Sequence, residues 1–317
     1  MSTLPLVIVN PTSARGATQG SWPAMASDLR AHFGPFSCVF TKQAGDGRRL
    51  AAEAALAGRR LIIACGGDGT ISEVANGILE SGADAELGIV PSGTGGDFRR
   101  TLKLPTKTSA AARALRAGRT RRIDVGRVHY LNHEGEPETR HFLGVASFGL
   151  SPAIIERVKE SGGGWLQSPA LGRMGGQLSF ANAMLRTTLD TPAAVVHAQI
   201  DEQPERRLTV TNLCVANARY FGGGMKIAPE ATLDDNRFDI ISIGDMGALE
   251  IILNAPRLYL GKHLGLPQVR HERARRVVAR PARDDKEVAI EIDGELPGRL
   301  PATFEILPAA LKLRCPA

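Results

Sequence analysis

The sequence predicts an N-terminal α/β domain with a doubly wound parallel sheet, followed by a β-rich half of antiparallel, sandwich-like type. Two observations support this prediction. Strand-like apolar runs alternate with helical stripes about every 20 to 30 residues as far as residue 117, which is typical of a parallel sheet covered by helices. From residues 123–126 onwards, short strand-like runs dominate instead. A chain of 317 residues is long enough for two separate cores.

Strands and helices alternate through the α/β half. In order, the sequence predicts strand 4–9, helix 22–33, strand 36–40, helix 46–57, strand 61–65, helix 70–81, strand 86–90 and helix 108–117. The third helix has the clearest pattern, because its apolar residues at 71, 74, 75, 78 and 79 form one amphipathic stripe. Thr70 and Glu73 fit a capping box at its start, and Gly82 fits its end.

The second half contains shorter strand-like runs and fewer helical patterns. Strands are predicted at 125–131, 141–148, 194–200, 208–216, 238–243, 276–280, 288–292 and 303–307. Helices are predicted at 152–160, 176–188 and 247–261. The glycine-rich segment 162–176 has little pattern and is predicted to be a mobile loop.

A glycine turn, Gly66-Gly67-Asp68-Gly69-Thr70, joins the third strand to its helix. Glycines let the backbone approach a ligand closely, and the first N–H groups of a helix attract an anion such as a phosphate. An aspartate would repel a phosphate unless a magnesium ion lies between them. The turn therefore indicates a phosphate and a metal ion at this helix start, and an ordinary strand–helix turn is the alternative.

A second glycine turn, from Ser92 to Phe98, follows the fourth strand and again contains an aspartate, Asp97. The turn Asn10-Pro11-Thr12-Ser13 follows the first strand. Because ligands of open α/β sheets bind at the carboxyl ends of parallel strands, all three turns are expected at one edge of the sheet. The chain has no Gly-x4-Gly-Lys-Ser/Thr motif, which excludes a P-loop nucleotide site.

The composition limits the kinds of partner that the protein is expected to bind. The net charge of +6 and the pI near 9.4 favour an acidic partner such as a nucleotide, an anionic membrane surface or a nucleic acid. With 5% aromatic residues and no interleaving of basic and aromatic residues, a nucleic-acid partner is not expected. The four scattered cysteines favour buried free thiols over zinc or disulfides. No signal peptide or membrane-spanning run is apparent, so we expect a cytoplasmic protein in peripheral contact with a membrane.

The order of the motifs resembles the diacylglycerol kinase family, which includes bacterial soluble lipid kinases and sphingosine and ceramide kinases. The motifs are Asn10-Pro11-Thr12-Ser13, Gly66-Gly67-Asp68-Gly69-Thr70, Gly93-Thr94-Gly95-Gly96-Asp97-Phe98, Ile123-Asp124-Val125-Gly126 and Asp293-Gly294-Glu295. The resemblance runs from Val7 to about Leu313. Gly-Gly-Asp-Gly-Thr alone is shared with NAD kinases, and the later motifs separate lipid kinases from them.

The resemblance implies a Rossmann-like nucleotide domain of the NAD kinase and phosphofructokinase type at residues 1–124, rejoined by about 305–317. It implies a β-rich lipid-binding domain at 125–304. The implied reaction is ATP- and Mg²⁺-dependent phosphorylation of a lipid hydroxyl, a step of phospholipid biosynthesis. The implied ATP site comprises Asn10, Pro11, Thr12, Ser13, Ala14, Thr41, Gly66, Gly67, Asp68, Gly69, Thr70, Ile71, Ser72, Glu73, Ser92, Gly93 and Thr94.

The resemblance also implies roles for acidic residues. Asp68, Asp97 and Asp124 would hold the catalytic magnesium through a network of carboxylates and water. Asp293 would be the base, with Glu295 beside it. By itself, Asp-Gly-Glu fits an ordinary hairpin turn, and the other motifs favour the catalytic role.

Two positions depart from the family pattern and bear on nucleotide affinity. Many members have Asn where this chain has Gly96, and many have Gly where it has Ala14. A second acidic turn holds a structural magnesium in some relatives; here the ligands would be the Asp235 carboxylate and the carbonyls of Thr232 and Arg237. A solvated turn is the alternative. Asn236 stands where glycine is frequent, which a left-handed turn tolerates.

Two further segments have surface or core interpretations. The basic stretch from Arg270 to Arg276 is interpreted as a charged strand edge or as an attraction to anionic lipid headgroups. The apolar stripe of the last helix is expected to be core; it comprises Ile251, Ile252, Ala255, Leu258 and Tyr259.

The sequence thus predicts an ATP-dependent lipid kinase with its active site between two domains, acting on diacylglycerol to give phosphatidic acid. Sphingoid bases and phosphatidylglycerol are the alternative acceptors. Two hypotheses of another class are a NAD or sugar-phosphate kinase and a non-catalytic lipid- or nucleotide-binding regulator. The predicted partners are ATP and a membrane lipid, and a homodimer is left open.

Overall fold

The structure is a computed structural model that describes residues 4–93, 96–160, 187–188, 190–283 and 286–316. The strands of the α/β half are β1 (Leu6–Val9), β2 (Ser37–Phe40), β3 (Leu61–Gly66) and β4 (Glu86–Pro91). Its helices are α1 (Ala17–His32), α2 (Asp46–Leu56), α3 (Asp68–Ser81), α4 (Asp97–Thr101) and α5 (Thr108–Ala117). These strands pair in parallel in the spatial order β4–β3–β1–β2.

Helices cover both faces of this parallel sheet, because successive strand residues point to opposite sides. Ile8 and Ile62 pack with α2 and α3, whereas Val7 and Ile63 pack with α1 and α5. All four side chains are fully buried. The doubly wound arrangement predicted from the sequence is confirmed.

The second half is a β-rich, sandwich-like unit with an aromatic core. Its strands are β5 (Arg119–Asn132), β6 (Pro137–Phe142), β7 (Val145–Gly149), β8 (Ala194–Ile200), β9 (Arg206–Val210), β10 (Asn212–Ala216), β11 (Phe238–Ile243), β12 (Val269–Ala274), β13 (Arg276–Pro281), β14 (Ala289–Ile292) and β15 (Glu295–Cys315). Helices α6 (Leu150–Glu160) and α7 (Ala248–Leu260) and a 3₁₀ helix at His263–Gly265 lie between them. Stacked rings of Phe142 and Phe238, 5.5 Å apart, lie in the core.

Strand β15 joins the two halves. It begins in a hairpin with β14, runs antiparallel to β5, and ends parallel to β4, where Lys312 pairs with Glu86. The register with β5 shifts between Leu307 and Leu311, so the strand bends where it passes from one half to the other. The end of the chain thereby adds a strand to the parallel sheet, while the division into two domains stays a prediction.

Several elements differ from the sequence prediction. Strand β5 begins at Arg119 rather than at 125, because its start pairs with the end of β15. Helix α4 has five residues, too few for a helical period, and was not predicted. Strand β12 is rich in charges and therefore lacks the apolar alternation of a predicted strand. The segment 162–176 and most of the helix predicted at 176–188 lie outside the described residues.

Helix α7 confirms the helix predicted at 247–261 and shows two different faces. Ile251 is buried as expected for a core stripe, whereas Tyr259, predicted as part of the same stripe, is exposed. Leu249, Leu253 and Leu260 are exposed on the other side. In the part of the chain that the structure describes, no helix is long and apolar enough to span a bilayer.

Candidate active site

Three strand-end turns meet at the carboxyl edge of the parallel sheet. The backbone N–H of Ser92 donates to the carbonyl of Gly66 (2.9 Å), and that of Asn10 donates to a carbonyl of β3 (3.0 Å). A Cβ on Gly93 would lie only 2.8 Å from the Cα of Gly67, so the two glycine turns approach at a distance that only glycine permits. The expectation that the three turns share one edge is confirmed.

The start of α3 offers N–H groups to an anion. The helix begins at Asp68 after Gly67, and no side chain among the described residues caps it. Its first N–H groups therefore lack intrahelical partners, and the positive end of the helix dipole lies at the same place. Thr70 lies inside the helix, where its hydroxyl accepts a hydrogen bond from the Asn10 side chain (3.0 Å).

Glu73 does not form the predicted capping box with Thr70. Its carboxylate oxygens accept the N–H groups of Gly45 and Gly47, each at 2.8 Å, at the start of α2. The prediction is wrong because α3 begins at residue 68 rather than 70, which turns Glu73 towards α2. Glu73 thus fixes the turn that follows Thr41, a buried residue directly after β2.

The loop after β1 has a left-handed backbone. Oδ1 of Asn10 accepts hydrogen bonds from the N–H (3.0 Å) and hydroxyl (2.7 Å) of Thr12. Ala14, Arg15 and Gly16 follow with φ of 53°, 60° and 84°. This conformation favours glycine, which explains why glycine suits position 14. The other residues of the predicted ATP site are Pro11 and Ser13 in this loop, Gly69, Ile71 and Ser72 in α3, and Thr94, which lies outside the described residues.

Asp68 links the two glycine turns through its carboxylate. It accepts the N–H groups of Asp97 (2.9 Å) and Phe98 (3.2 Å), the first residues of α4. Asp97 in turn forms an ion pair with Arg100 (2.8 Å) and accepts the N–H of Gly223 (2.8 Å). Burial, with a contribution from the charge of Asp68, raises the pKa of the Asp97 carboxyl above its ordinary value.

Asp293 lies in the two-residue turn between β14 and β15. Asp293 and Gly294 have φ of 49° and 87°, as expected for the hairpin interpretation of Asp-Gly-Glu. The same turn brings Asp293 to the candidate site. The Asp293 carboxylate accepts the N–H groups of Leu143 (3.0 Å) and Gly144 (2.8 Å). Burial outweighs these hydrogen bonds and raises the pKa of Asp293 to about 6. Any Cβ on Gly144 would lie 2.7 Å from Oδ1 of Asp293, so this approach needs glycine.

Glu291 is a buried carboxyl that the sequence predictions did not include. Its oxygens accept hydrogen bonds from the Ser147 hydroxyl (2.5 Å) and the Gly294 N–H (2.7 Å). Burial raises its pKa to about 7. The available signal was a single acidic residue in an otherwise apolar strand, two positions before Asp293.

These acidic groups line one cavity of about 320 Å³ between the two halves of the molecule. Its lining includes four acidic residues, Asp68, Asp97, Glu291 and Asp293. The remaining lining is largely apolar and includes Ile71, Phe98, Val145, Ile154, Ile155, Phe221 and Met225. A second, apolar cavity of about 70 Å³ beneath α7 shares Ile154, Phe221 and Met225 with the first. The site therefore combines several carboxyl groups with a largely apolar lining, part of which it shares with a second, apolar cavity.

Asp124 does not line this cavity. It is 1% exposed, and its carboxylate accepts the N–H groups of Asn236 (2.6 Å) and Ala309 (2.8 Å). Ala309 lies in the bend of β15 and has a φ of 50°, so its N–H is not used in the strand ladder. Asp124 thus lies at the junction of the two halves, and its part in the magnesium network stays a prediction.

Glu295 also lies apart from the cavity lining. Its carboxylate forms an ion pair with Arg140 (2.6 Å) and lies near Gly69, where a Cβ would be 3.7 Å from Oε1. A role for Glu295 beside the base thus stays a prediction.

The second acidic turn follows Thr232. Oδ1 of Asp235 accepts the N–H of Arg237 (3.2 Å), and Asn236 has a φ of 59°, which confirms the left-handed turn. The structural magnesium at Thr232, Asp235 and Arg237 stays a prediction. No group of three or more His, Cys, Asp or Glu side chains suited to a metal ion occurs within the described ranges.

The basic stretch from Arg270 to Arg276 forms the edge strand β12 and the start of β13. Several of its charges are paired: Glu272 with Arg206 (3.1 Å), Arg273 with Asp239 (3.7 Å) and Arg276 with Glu305 (3.3 Å). This favours the charged strand edge over a lipid-headgroup site.

Family models match both halves of the chain. Residues 5–128 match the diacylglycerol kinase catalytic domain, and residues 168–315 match the YegS C-terminal NAD kinase beta sandwich-like domain. The chain is 29% identical over 302 residues to a diacylglycerol kinase of Bacillus subtilis (strain 168), covering 94% of this chain and 91% of that protein. It is 28% identical over 311 residues to a diacylglycerol kinase of Mycobacterium tuberculosis (strain ATCC 25618 / H37Rv), covering 98% of this chain and 94% of that protein.

Solved structures agree with these matches. A protein of Bacillus anthracis str. Sterne, described as a candidate diacylglycerol kinase, has a TM-score of 0.75 and 25% identity, covering 98% of this chain and 95% of that one. Yeast NADH kinase complexed with NADH has a TM-score of 0.51 and 9% identity, covering 100% of this chain and 84% of that one. At this identity, the likeness shows a shared fold alone. The chain therefore belongs to the diacylglycerol kinase family and is a lipid kinase.

Proposed function

We propose that the protein transfers the γ-phosphoryl group of ATP to the hydroxyl of diacylglycerol, with Mg²⁺ as cofactor, and so forms phosphatidic acid. The observation that carries this proposal is a single cavity in which Asp68, Asp97 and Asp293 face a largely apolar lining. A neutral lipid alcohol presents a hydroxyl at one end and acyl chains at the other, which matches both parts of the cavity.

The nucleotide would bind at the carboxyl edge of the parallel sheet. The uncapped start of α3 and the glycine turn at Gly93 offer backbone N–H groups to phosphate oxygens. Asn10 and Thr70, joined by their side chains, would position the loop after β1 over this helix start. Similarity to relatives named diacylglycerol kinase supports ATP as the phosphoryl donor.

The carboxylates of Asp68 and Asp97 suit a magnesium ion that is shared with phosphate oxygens. Mg²⁺ is commonly bound by one or two carboxylates together with substrate phosphates and water. Asp68 accepts two backbone N–H groups and keeps further lone pairs, and its charge lies close enough to Asp97 to affect the pKa of that carboxyl. When bound, Mg²⁺ supplies charge neutralisation for phosphoryl transfer.

Asp293 would act as the general base. As the lipid oxygen forms its bond to the γ-phosphorus, the bond between that phosphorus and the bridging oxygen of ADP breaks, and the hydroxyl proton passes to Asp293. The N–H groups of Leu143 and Gly144 hold the carboxylate in place. A pKa of about 6 keeps Asp293 mainly ionised at neutral pH and makes it a stronger base than an ordinary aspartate.

The apolar lining supports a lipid rather than a water-soluble acceptor. Ile154, Phe221 and Met225 connect the lining of the carboxylate cavity to the apolar cavity beneath α7. A sugar phosphate or a dinucleotide would leave this apolar surface without a partner. An enzyme with this substrate would work in peripheral contact with a membrane.

The test is transfer of label from γ-labelled ATP, with and without Mg²⁺, to a panel of diacylglycerol, sphingosine, phosphatidylglycerol, NAD and sugar phosphates. We expect labelled phosphatidic acid, and a loss of about 10²-fold in kcat for Asp293→Asn. Label in another lipid would identify that lipid as the acceptor in place of diacylglycerol, whereas label only in NAD or a sugar phosphate would refute a lipid acceptor. An Asp293→Asn variant of near wild-type activity would refute the proposed base.

A further inference from the structure

Helix α7 carries an apolar stripe that faces away from the protein. Leu249, Leu253, Pro256 and Leu260 are separated by four, three and four residues, so they lie on one side of the helix. All four are exposed; the three leucines have relative exposures of 69%, 69% and 65%. We call these four residues the α7 face. Single exposed leucines are common, but three on one helix side form a patch.

Positive charge lies at one end of the α7 face. Arg257 in the helix and Lys262 just after it are exposed. Neither forms an ion pair with any residue that the structure describes. Glu250 is the single acidic residue of the helix and accepts a hydrogen bond from Gln268 (2.9 Å). Asp245 and Glu250 are exposed at the N-terminal end of the stripe, whereas the cations border its C-terminal end, and this cationic end complements an anionic lipid surface.

The opposite side of α7 leads towards the carboxylate cavity. Ile251 and Leu258 line the apolar cavity of about 70 Å³ beneath the helix, and that cavity shares Ile154 and Met225 with the one that Asp293 lines. The helix thus separates the exposed apolar stripe from an apolar space connected to the site. A substrate with acyl chains would enter this space most directly from a bilayer in contact with α7.

We propose that the α7 face docks onto the surface of an anionic phospholipid bilayer, with its leucines in the boundary between headgroups and acyl chains. The docking surface rests on the proposed function in so far as a lipid substrate has to be drawn from a membrane. Arg257 and Lys262 contact acidic headgroups, and the leucines supply apolar burial.

The experiment measures vesicle binding by flotation without ATP, using the full chain. The vesicles are phosphatidylcholine alone or phosphatidylcholine mixed with phosphatidylglycerol. For Leu249→Gln/Leu253→Gln, we expect binding to the mixed vesicles to weaken at least about tenfold, because two leucines no longer enter the bilayer. For Arg257→Gln/Lys262→Gln, we expect a loss of about fivefold per cation on the mixed vesicles and little change on phosphatidylcholine alone.

Leu56→Gln is the matched control, because Leu56 is 71% exposed at the end of α2, in the other half of the chain. Leu and Gln have similar helix propensities, so the substitutions leave helix formation unaffected. We expect the control to bind vesicles like the wild type. Circular dichroism checks the fold of each variant.

Two further measurements separate the alternatives. Phosphorylation of a short-chain diacylglycerol dissolved as monomers should stay within about twofold for the α7 double leucine variant, while turnover on vesicles falls with binding. If no lipid is phosphorylated by any variant, the proposed function fails, and flotation still decides the docking surface. Wild-type vesicle binding by the double leucine variant would overturn the docking proposal. Conversion of a dimer to a monomer by that variant, seen by light scattering, would also overturn it by showing that a second copy covers the α7 face.

Discussion

Two carboxyl groups near the β14–β15 turn differ in how solvent and hydrogen bonds act on them. Asp293 accepts two backbone N–H groups, which stabilise its anion, but its withdrawal from water has the larger effect. Glu291 accepts one N–H and one hydroxyl and is fully enclosed, so its pKa rises further, to about 7. Both carboxyls therefore titrate close to neutral pH, although ordinary acids titrate near pH 4.

The raised pKa of Asp293 predicts the pH dependence of activity. A base must be ionised, so kcat/KM should fall about tenfold per pH unit below about pH 6 and level off above it. Glu291, with the higher pKa of about 7, is mainly uncharged where Asp293 titrates, so Glu291→Gln should leave the midpoint near pH 6. The measurement is kcat/KM for the lipid from about pH 5 to pH 8. The same acidic limb in the residual activity of Asp293→Asn would contradict this origin.

At the scale of elements, the turns after the parallel strands contain residues of the predicted nucleotide site. The backbone conformations of these turns determine which residue types they tolerate. The loop between β1 and α1 holds Ala14, Arg15 and Gly16 in left-handed conformations. The left-handed region costs an L-residue roughly 1–2 kcal/mol relative to the right-handed helical region. This loop also carries Asn10, whose side chain contacts the start of α3.

Ala14→Gly should therefore stabilise the loop. We expect the free energy of unfolding to rise by about 1 kcal/mol and the KM for ATP to fall, because glycine adopts this φ without strain. Urea denaturation and ATP titration measure both quantities. Ala57→Gly is the control, since Ala57 has an ordinary φ of −74° after α2, and there glycine should destabilise by up to about 1 kcal/mol. Equal effects at both positions would contradict the strain explanation.

At the scale of the whole molecule, Asp124 holds the junction between the two halves. Its N–H donates to the carbonyl of Leu233 (2.6 Å), and its carboxylate accepts N–H groups from the turn after Leu233 and from the bend in β15. A bend in a strand frees backbone N–H groups, and a buried carboxylate can satisfy them. The cavity lies between the halves, so this junction sets its shape.

Asp124→Ala should mainly lower stability. Two backbone N–H groups would lose a charged acceptor, so we expect a loss of about 3 kcal/mol in the free energy of unfolding. Asp124→Asn keeps one acceptor oxygen and should lose less. Chemical denaturation measures stability, and a magnesium titration of the folded variant measures metal dependence. Unchanged stability with a large rise in the magnesium requirement would instead support Asp124 as a ligand of the catalytic ion.

Local patterns in the sequence were sufficient to predict the strand–helix alternation of the first half, the glycine turns and the hairpin at Asp293. Each of these features depends on the period of the apolar residues, on a glycine or on a short motif. Such local patterns can be read without knowing which distant residues are in contact. Helix α4 and strand β12 carry no such signal, because one has only five residues and the other is stabilised as a charged sheet edge.

Tertiary structure alone decided which acidic residues share a cavity. Asp68, Asp97 and Asp293 come together because strand-end turns and the β14–β15 hairpin meet between the two halves. The Asp124 carboxylate accepts the N–H of Ala309, which is distant in the chain, and no local pattern could reveal that hydrogen bond. Glu291 is withdrawn from water by the strands around it, and the exposed leucines of α7 face outwards because the core covers its other side. Residue types and spacings determined the family and the chemistry available; long-range packing determined which groups meet.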